Sequence, residues 1–491
     1  MDPILHCSNL HNKANAFDHT APMKGAAQGG PTRSSRSAAM VHLAMHDAFF
    51  GVAGLGVGGL GAAAPASLYL GTAAPAAYGG PGGAASESSA IGEAARIVLT
   101  HLYREQAAMF DEGINTLNAV NGSTPEGMAY GRAVGNAILA LRGSDGAAQS
   151  EGGYVYGFAK PYHRSDPINA GQDSLGANWG KVRPFAVDAF LPLAAPPSYA
   201  PAGVNHPLYI DQLKEVAVKG GAASQKATTR TVDETVIGLY WAYDGAVRLG
   251  TPPRLYNQIL AQIAMEKGNS LAQNARLFGL VNAAMGDAGI HAWHYKYGYD
   301  LWRPVVGIRE HDANFGPDAK GGQLASAPCD PFWRPFGAPK TNDTAAGARS
   351  FTPPFPAYPS GHATFGAAVF EMVRLFYGHA DPKTKDTIGF TFVSDELDGR
   401  STDNDGTVRT RHVRKFTSVA DAMYENSVSR IFLGVHWRFD GTTGGNITDM
   451  LKATDNIGGV PLGRAIAQNI FGTKLAQSPT GLTGPAVPPA T

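Results

Sequence analysis

Residues Ser270 to Pro304 read SLAQNARLFGLVNAAMGDAGIHAWHYKYGYDLWRP. Small and apolar residues recur through it at helical spacing, which predicts one long helix over Ser270–Trp302 limited by Pro304. Lys296 and Arg303 stand seven positions apart near its end. At about 100° per residue they project within about 20° of each other, so both cations reach one point.

The same periodicity extends outward on both sides. It covers Thr229–Val247, Pro253–Glu266, Gly361–Tyr377, Val419–Phe432 and Gly459–Phe471. Upstream it begins at Ser35 with Ala39, Met40, Leu43, Ala44 and Ala48, and returns over Glu87–Val120 with a break near Gly113. Thr124-Pro125-Glu126 opens a further helix, with Thr as cap and Pro in the first turn. Residues 144–222 are rich in Gly, Pro, Ser and Tyr and read as long connections. No alternating strand run longer than a few residues stands out. The expectation is an all-α chain of two helical bundles with long loops, its active site in the C-terminal bundle. The divisions are an irregular arm over 1–34, a helical region over 35–223, the site-bearing bundle over 224–475 and a mobile tail over 476–491.

Composition narrows the function. The 491 residues carry 40 Lys+Arg against 40 Asp+Glu, a formal charge of zero. That argues against nucleic acid as a partner, which needs a basic field, so any anion must be held by a local cluster. Charged residues are 16% of the chain, below the usual ~25%. From Ala48 to Ser86 no charge occurs, but Gly and Pro crowd the stretch, which reads as a loop and not a membrane span. Residues 1–20 hold Asp2, Lys13 and Asp18 without an apolar run, unlike an uncleaved signal peptide. A soluble protein is expected. Cys7 and Cys329 allow one bridge or two free thiols and no cysteine metal site.

Two further segments carry chemistry. Tyr358-Pro359-Ser360-Gly361-His362 opens an apolar helix, placing a hydroxyl, a Gly N–H and an imidazole at a helix N-terminus, where anions are favoured. In Ser429-Arg430-Ile-Phe-Leu-Gly-Val-His436-Trp-Arg-Phe-Asp440, Arg430 and His436 are six apart, close enough to converge from a helix, and Asp440 follows four later, placed to orient a ring N–H. Three cations, two neutral donors and two histidines suit a tetrahedral or trigonal-bipyramidal oxyanion. His42 and His46, spaced i and i+4 with no third ligand in view, read as structural or surface residues. His291 and His294 receive no role, and Arg438 reads as a surface charge.

Lys296-x6-Arg303-Pro304, Pro359-Ser360-Gly361-His362 and Ser429-Arg430-x5-His436-x3-Asp440, in that order, resemble the signature shared by vanadium-dependent haloperoxidases and the related acid phosphatases. The strings around Pro353–Gly366 and Ser429–Asp440, with Tyr240–Gly245 and Gly250–Arg254, resemble the fungal-type chloroperoxidases of that family in particular. The resemblance is strongest over residues 224–475 and implies vanadate as cofactor there. His436 would be its protein ligand, and Lys296, Arg303, Arg430, Ser360 and the Gly361 N–H would hold its oxygens. His362 would be the acid–base residue, Asp244 would pair with Arg430, and Lys296 would polarise bound hydrogen peroxide. Trp293 and Phe355 would line the halide pocket. The implied reaction takes hydrogen peroxide and a halide ion, chloride or bromide, to hypohalous acid; the organic acceptor stays open. Relatives often act outside the cell, so export stays open too. Two alternatives use the same pocket: an acid phosphatase hydrolysing phosphomonoesters, with His436 as nucleophile, and an oxyanion binder without turnover. The long segment between His362 and Ser429, with its charged stretch Ser394–Lys415, resembles the haloperoxidases more than the compact phosphatases.

Overall fold

The computed structural model describes residues 1–20, 26–149, 152–224, 226–324, 329–345, 347–379 and 381–478. Among these the chain is all-α apart from one hairpin. The helices are α1 (Pro3–Asp18), α2 (Gly30–Ala53), α3 (Ala84–Leu102), α4 (Ala107–Asn121), α5 (Pro125–Arg142), α6 (His206–Lys219) and α7 (Val232–Tyr240). Then come α8 (Pro252–Glu266), α9 (Leu271–Tyr299), α10 (Pro304–Glu310), α11 (Gly361–Phe376), α12 (Val419–Phe432), α13 (Ile447–Lys452) and α14 (Gly459–Gly472). Strands β1 (Phe390–Val393) and β2 (Val413–Phe416) pair antiparallel, Phe390 opposite Phe416.

Local chemistry sets many of the helix starts. Thr124 accepts the Gly127 N–H, with Pro125 in the first turn of α5. Ser270 and Gln273 form a reciprocal capping box at α9, as Thr231 and Glu234 do at α7. The α9 helix is 29 residues long, about 44 Å at 1.5 Å per residue. Its side chains are buried on nearly every face, as in a helix enclosed by others. It packs against α2 on one side and against α11 and α14 on the other. Around α2, α3, α4 and α5 lies one group of helices, and around α11, α12 and α14 the other. One cluster of buried apolar side chains runs from Ile4 to Leu475, across the 223/224 division expected from sequence. Close approach of α11 and α14 requires Gly463, where a Cβ would lie 2.3 Å from the Thr364 carbonyl oxygen.

Several local expectations are corrected. The arm expected to be irregular contains α1, capped by Asp2, which accepts the Leu5 N–H. Its inner face mixes Ile4, Cys7, Leu10 and Ala14 with buried Ser8, His11 and Asn15, and the polar residues dilute the periodic signal. Two of them bond to α2: His11 Nε2 meets the Ser37 hydroxyl at 3.0 Å and Asn15 donates to Ser34 at 2.8 Å. The break between α3 and α4 falls at Tyr103–Gln106, not at Gly113, whose missing side chain makes room for Leu10. The connection 144–222 holds α6, with Pro207 in its first turn. Among the described residues no helix is long and apolar enough to cross a membrane. Cys7 and Cys329 are both free thiols. The tail expected to be mobile lies outside the described residues from 479 onward.

Candidate active site

The α9 helix does not run on to Trp302. It stops at Tyr299, where Asp300 takes a left-handed conformation (φ 54°), and Arg303 is the residue that caps α10. Lys296 and Arg303 therefore do not share a helix face. They meet because both anchor on one extended segment. Lys296 Nζ donates to the carbonyls of Pro356 (2.8 Å) and Ala357 (3.0 Å), and Arg303 Nε donates to that of Phe355 (2.8 Å). Both cations are fully buried.

Arg430 stands in the last turn of α12 and His436 lies beyond it, after a turn in which Gly434 has φ 71°. A side chain at 434 would run into the Gly220 carbonyl, 2.3 Å from a Cβ. The Asp244 carboxylate accepts both Arg430 Nη groups, at 2.9 and 2.8 Å. Asp440, in a short 3-10 turn and not on a continuing helix, accepts His436 Nδ1–H at 2.7 Å and the Trp437 N–H at 3.0 Å. Arg303 Nη1 donates to His436 Nε2 at 2.9 Å and to the Val435 carbonyl at 2.8 Å. The ring is thus a neutral imidazole with its proton on Nδ1 and its lone pair on Nε2. Burial, and after it the Arg303 charge, hold it well below the usual imidazole range.

Ser360 caps α11: its hydroxyl accepts the Ala363 N–H, and its own N–H donates to the Asp440 carbonyl at 2.7 Å. Gly361 opens the helix with one of the free first-turn N–H groups. His362 Nε2 donates to the Ala242 carbonyl at 2.7 Å, leaving Nδ1 with a lone pair. Burial, then the Arg430 charge, push this imidazole down to about 3.

A cavity opens onto this cluster. Asp244, Gly361, His362, Arg430 and His436 line it, with Trp293 and Phe355 as an apolar wall. The two rings pack with centroids 4.8 Å apart. Lys296 Nζ lies 5.1 Å and Arg303 Cζ 4.9 Å from the Phe355 ring centroid, so the wall covers the cations. The site gathers positively charged side chains that are buried, an arrangement that strengthens electrostatic binding of an anion. Burial and the neighbouring Arg303 hold Lys296 well below the usual ammonium range, and burial pushes Arg303 down to about 9. Arg303 Nη2 and Arg430 Nε are buried with no hydrogen-bond partner among the described residues. Unpaired buried guanidinium N–H groups are costly, and an oxyanion would satisfy them. The donor set therefore fits vanadate or phosphate. Among the described residues no cluster of His, Cys, Asp and Glu could hold a metal cation.

Residues outside the site behave structurally. His42 bonds the Ala38 carbonyl and Ser8, and His46 bonds Asp47 and Arg276. His291 bonds the Asp287 carbonyl, and His294 stacks on Phe190. Arg438 is not a free surface charge; it is forked onto Glu215 and largely buried. Two groups had no sequence signal at all. They are the Ala242 carbonyl and the three carbonyls of Phe355, Pro356 and Ala357, because a backbone oxygen has no residue type.

Comparison with known proteins agrees with this chemistry. Residues 276–452 match a family model described as the VCPO second helical-bundle domain. The chain is 33% identical to the vanadium chloroperoxidase of Curvularia inaequalis, over 97% of this chain and 90% of that protein. A bacterial vanadium-dependent iodoperoxidase superposes with a TM-score of 0.66 at 20% identity, covering 96% of this chain and 95% of that one. The holo-type structure of a bacterial vanadium-dependent chloroperoxidase gives a TM-score of 0.57 at 15% identity, covering 94% and 96%. At those identities the two structures speak for the fold.

Proposed function

The chain belongs to the vanadium-dependent haloperoxidase family, and on that premise we propose that it uses vanadate to oxidise halide, chloride as well as bromide, with hydrogen peroxide. The observation that carries the reading is the pair of buried N–H groups with no partner among the described residues, Arg303 Nη2 and Arg430 Nε, beside the His436 Nε2 lone pair. Lys296, Arg303 and Arg430 would neutralise the oxyanion, and Ser360 and the Gly361 N–H would satisfy its remaining oxygens. Asp244 would aim Arg430. His436 would be the protein ligand, with Asp440 fixing its tautomer. When bound, vanadate supplies a Lewis-acidic centre of fixed oxidation state at which hydrogen peroxide becomes electrophilic. His362, neutral with Nδ1 free to accept, would take a proton as peroxide arrives and return one as product leaves. Lys296 would add positive charge where peroxide is activated.

Chloride holds its hydration water more tightly than iodide or bromide does. The apolar wall of Trp293 and Phe355 would strip that water, and the cations behind it would supply the compensating field. The test is peroxide-dependent oxidation of chloride, bromide and iodide by vanadate-loaded protein, beside p-nitrophenyl phosphate hydrolysis by the same preparation. Vanadate-dependent turnover of chloride and bromide is expected. Turnover of iodide alone contradicts the chloride reading, and ester hydrolysis without any halide turnover returns the site to the phosphatase alternative.

A further inference from the structure

The turn Trp241–Asp244, between α7 and α8, makes two of the contacts that shape the site. The Ala242 carbonyl holds His362, and the Asp244 carboxylate holds Arg430. Between them Tyr243 sits at φ 44°, a left-handed conformation unfavourable for a non-glycine residue. Such a conformation persists only where the surroundings impose it.

The surroundings come from the long segment between α11 and α12. Ser394 Oγ–H donates to the Tyr240 carbonyl at 2.7 Å. The Asp395 N–H donates to the Tyr243 hydroxyl at 2.9 Å, and that hydroxyl donates to Gln258 at 3.1 Å. Glu396 Oε1 accepts the Tyr243 N–H at 3.0 Å. Its other oxygen accepts from Arg409 at 2.6 Å and from the Thr341 hydroxyl. Glu396, Tyr243 and Thr341 are completely buried. Residues 242 and 244 thus face the oxyanion cluster, while 240 and 243 face Ser394–Glu396. A buried carboxylate tied to an arginine is a costly way to hold a turn that only shapes a surface.

We propose that Glu396 is a positioning residue of the active site: through the Tyr243 backbone it sets the Ala242 carbonyl against His362 and Asp244 against Arg430. The segment between α11 and α12 is then part of the site's machinery and not a surface elaboration. The inference rests on the oxyanion reading given above.

Charge and position make opposite predictions for this residue. Removing an anion near the site would by Coulomb's law alone strengthen binding of a second anion. Losing a support behind the groups that hold the anion weakens it, by about 10–100-fold for outer-shell partners of metal sites. Orthovanadate binding to the unloaded protein, followed by calorimetry well below the melting temperature, separates the two. Glu396→Ala should weaken binding by about 10–100-fold. Glu396→Gln keeps an acceptor for the Tyr243 N–H while losing the charge, and should recover most of the affinity. Tyr243→Phe loses the hydroxyl contacts to Asp395 and Gln258 and should show a smaller loss; it decides the matter if Glu396→Ala does not fold. Asp145→Asn breaks a buried pair with Arg36 and Arg142 away from the site, and should lower the melting temperature without changing affinity. Wild-type affinity or tighter binding in the folded Glu396→Ala and Tyr243→Phe variants overturns the positioning role. A wild type that does not bind orthovanadate overturns the oxyanion reading, and this inference with it.

Discussion

Arg303 Nη1 donates to the one ring nitrogen of His436 that could bind a metal, Nε2, at 2.9 Å, while Asp440 holds the other nitrogen at 2.7 Å. The lone pair is therefore preformed, oriented by Asp440, and guarded by an arginine whose second Nη group has no partner among the described residues. A bound oxyanion could draw that guanidinium onto its own oxygens and leave Nε2 to its central atom.

This gives a first prediction. His436→Ala should weaken orthovanadate binding more than phosphate binding, because only vanadium expands its coordination to take a histidine nitrogen. The gap between the two losses should exceed about tenfold, or ~1.4 kcal/mol. Calorimetry with both anions on the variant and wild type measures it, and equal losses would deny His436 the ligand role.

His362 is held through Nε2 by Ala242 and contributes no cation to the anion. His362→Ala should keep orthovanadate within a few-fold of wild-type affinity. Halide oxidation should fall by about 10²–10⁴-fold, the usual contribution of a general acid–base group. Steady-state rates at saturating orthovanadate distinguish this from loss of cofactor.

Phe355 stands between Trp293 and the two buried cations. Phe355→His replaces an apolar face with a polar, titratable ring. Chloride turnover should drop more than bromide turnover, since the more strongly hydrated ion depends more on a dry wall. Parallel rates for both halides test it; an unchanged ratio would take Phe355 out of halide selection.

Acid should destabilise the unloaded protein. Burial holds His11 and His362 down to about 3, and His42 and His291 to about 4, from an ordinary 6.5. The unfolded chain takes up these protons as pH falls through 6.5, and the folded chain does not until about 3 to 4. The stability these rings contribute is present above pH 6.5 and lost toward pH 4. Asp287, Asp300 and Asp440, raised to about 6, 7 and 7, act in the opposite sense, since there the folded form takes protons first. His163 and His436 are also held well below the usual range, so histidines outweigh these carboxylates. The melting temperature should therefore fall as pH drops from 6.5 to 4. A steady rise over that interval would contradict the assignment of buried neutral histidines.

The oxyanion cluster was legible because its chemistry needs particular side chains in a particular order. Lys296, Arg303, Ser360, Gly361, His362, Arg430 and His436 all announce themselves by type. The reason they converge was not legible. Phase along one helix explains neither Lys296 with Arg303 nor Arg430 with His436, because Asp300 and Gly434 end the helices in between. Backbone carbonyls and tight turns do the joining, and they leave no mark in a residue string. The helix over Val419–Phe432 was readable to the residue because its ends carry a Ser cap and a turn. The first helix was not, because His11 and Asn15 are buried polar groups whose partners, Ser37 and Ser34, lie on another helix.

The most direct test of the vanadate site is crystallographic. Crystals of the protein soaked in orthovanadate should show one strong peak, within bonding distance of His436 Nε2, its oxygens contacted by Lys296, Arg303 and Arg430, with Arg303 Nη1 released from the ring. An ion elsewhere, or at this site but not bonded to His436, would contradict the account.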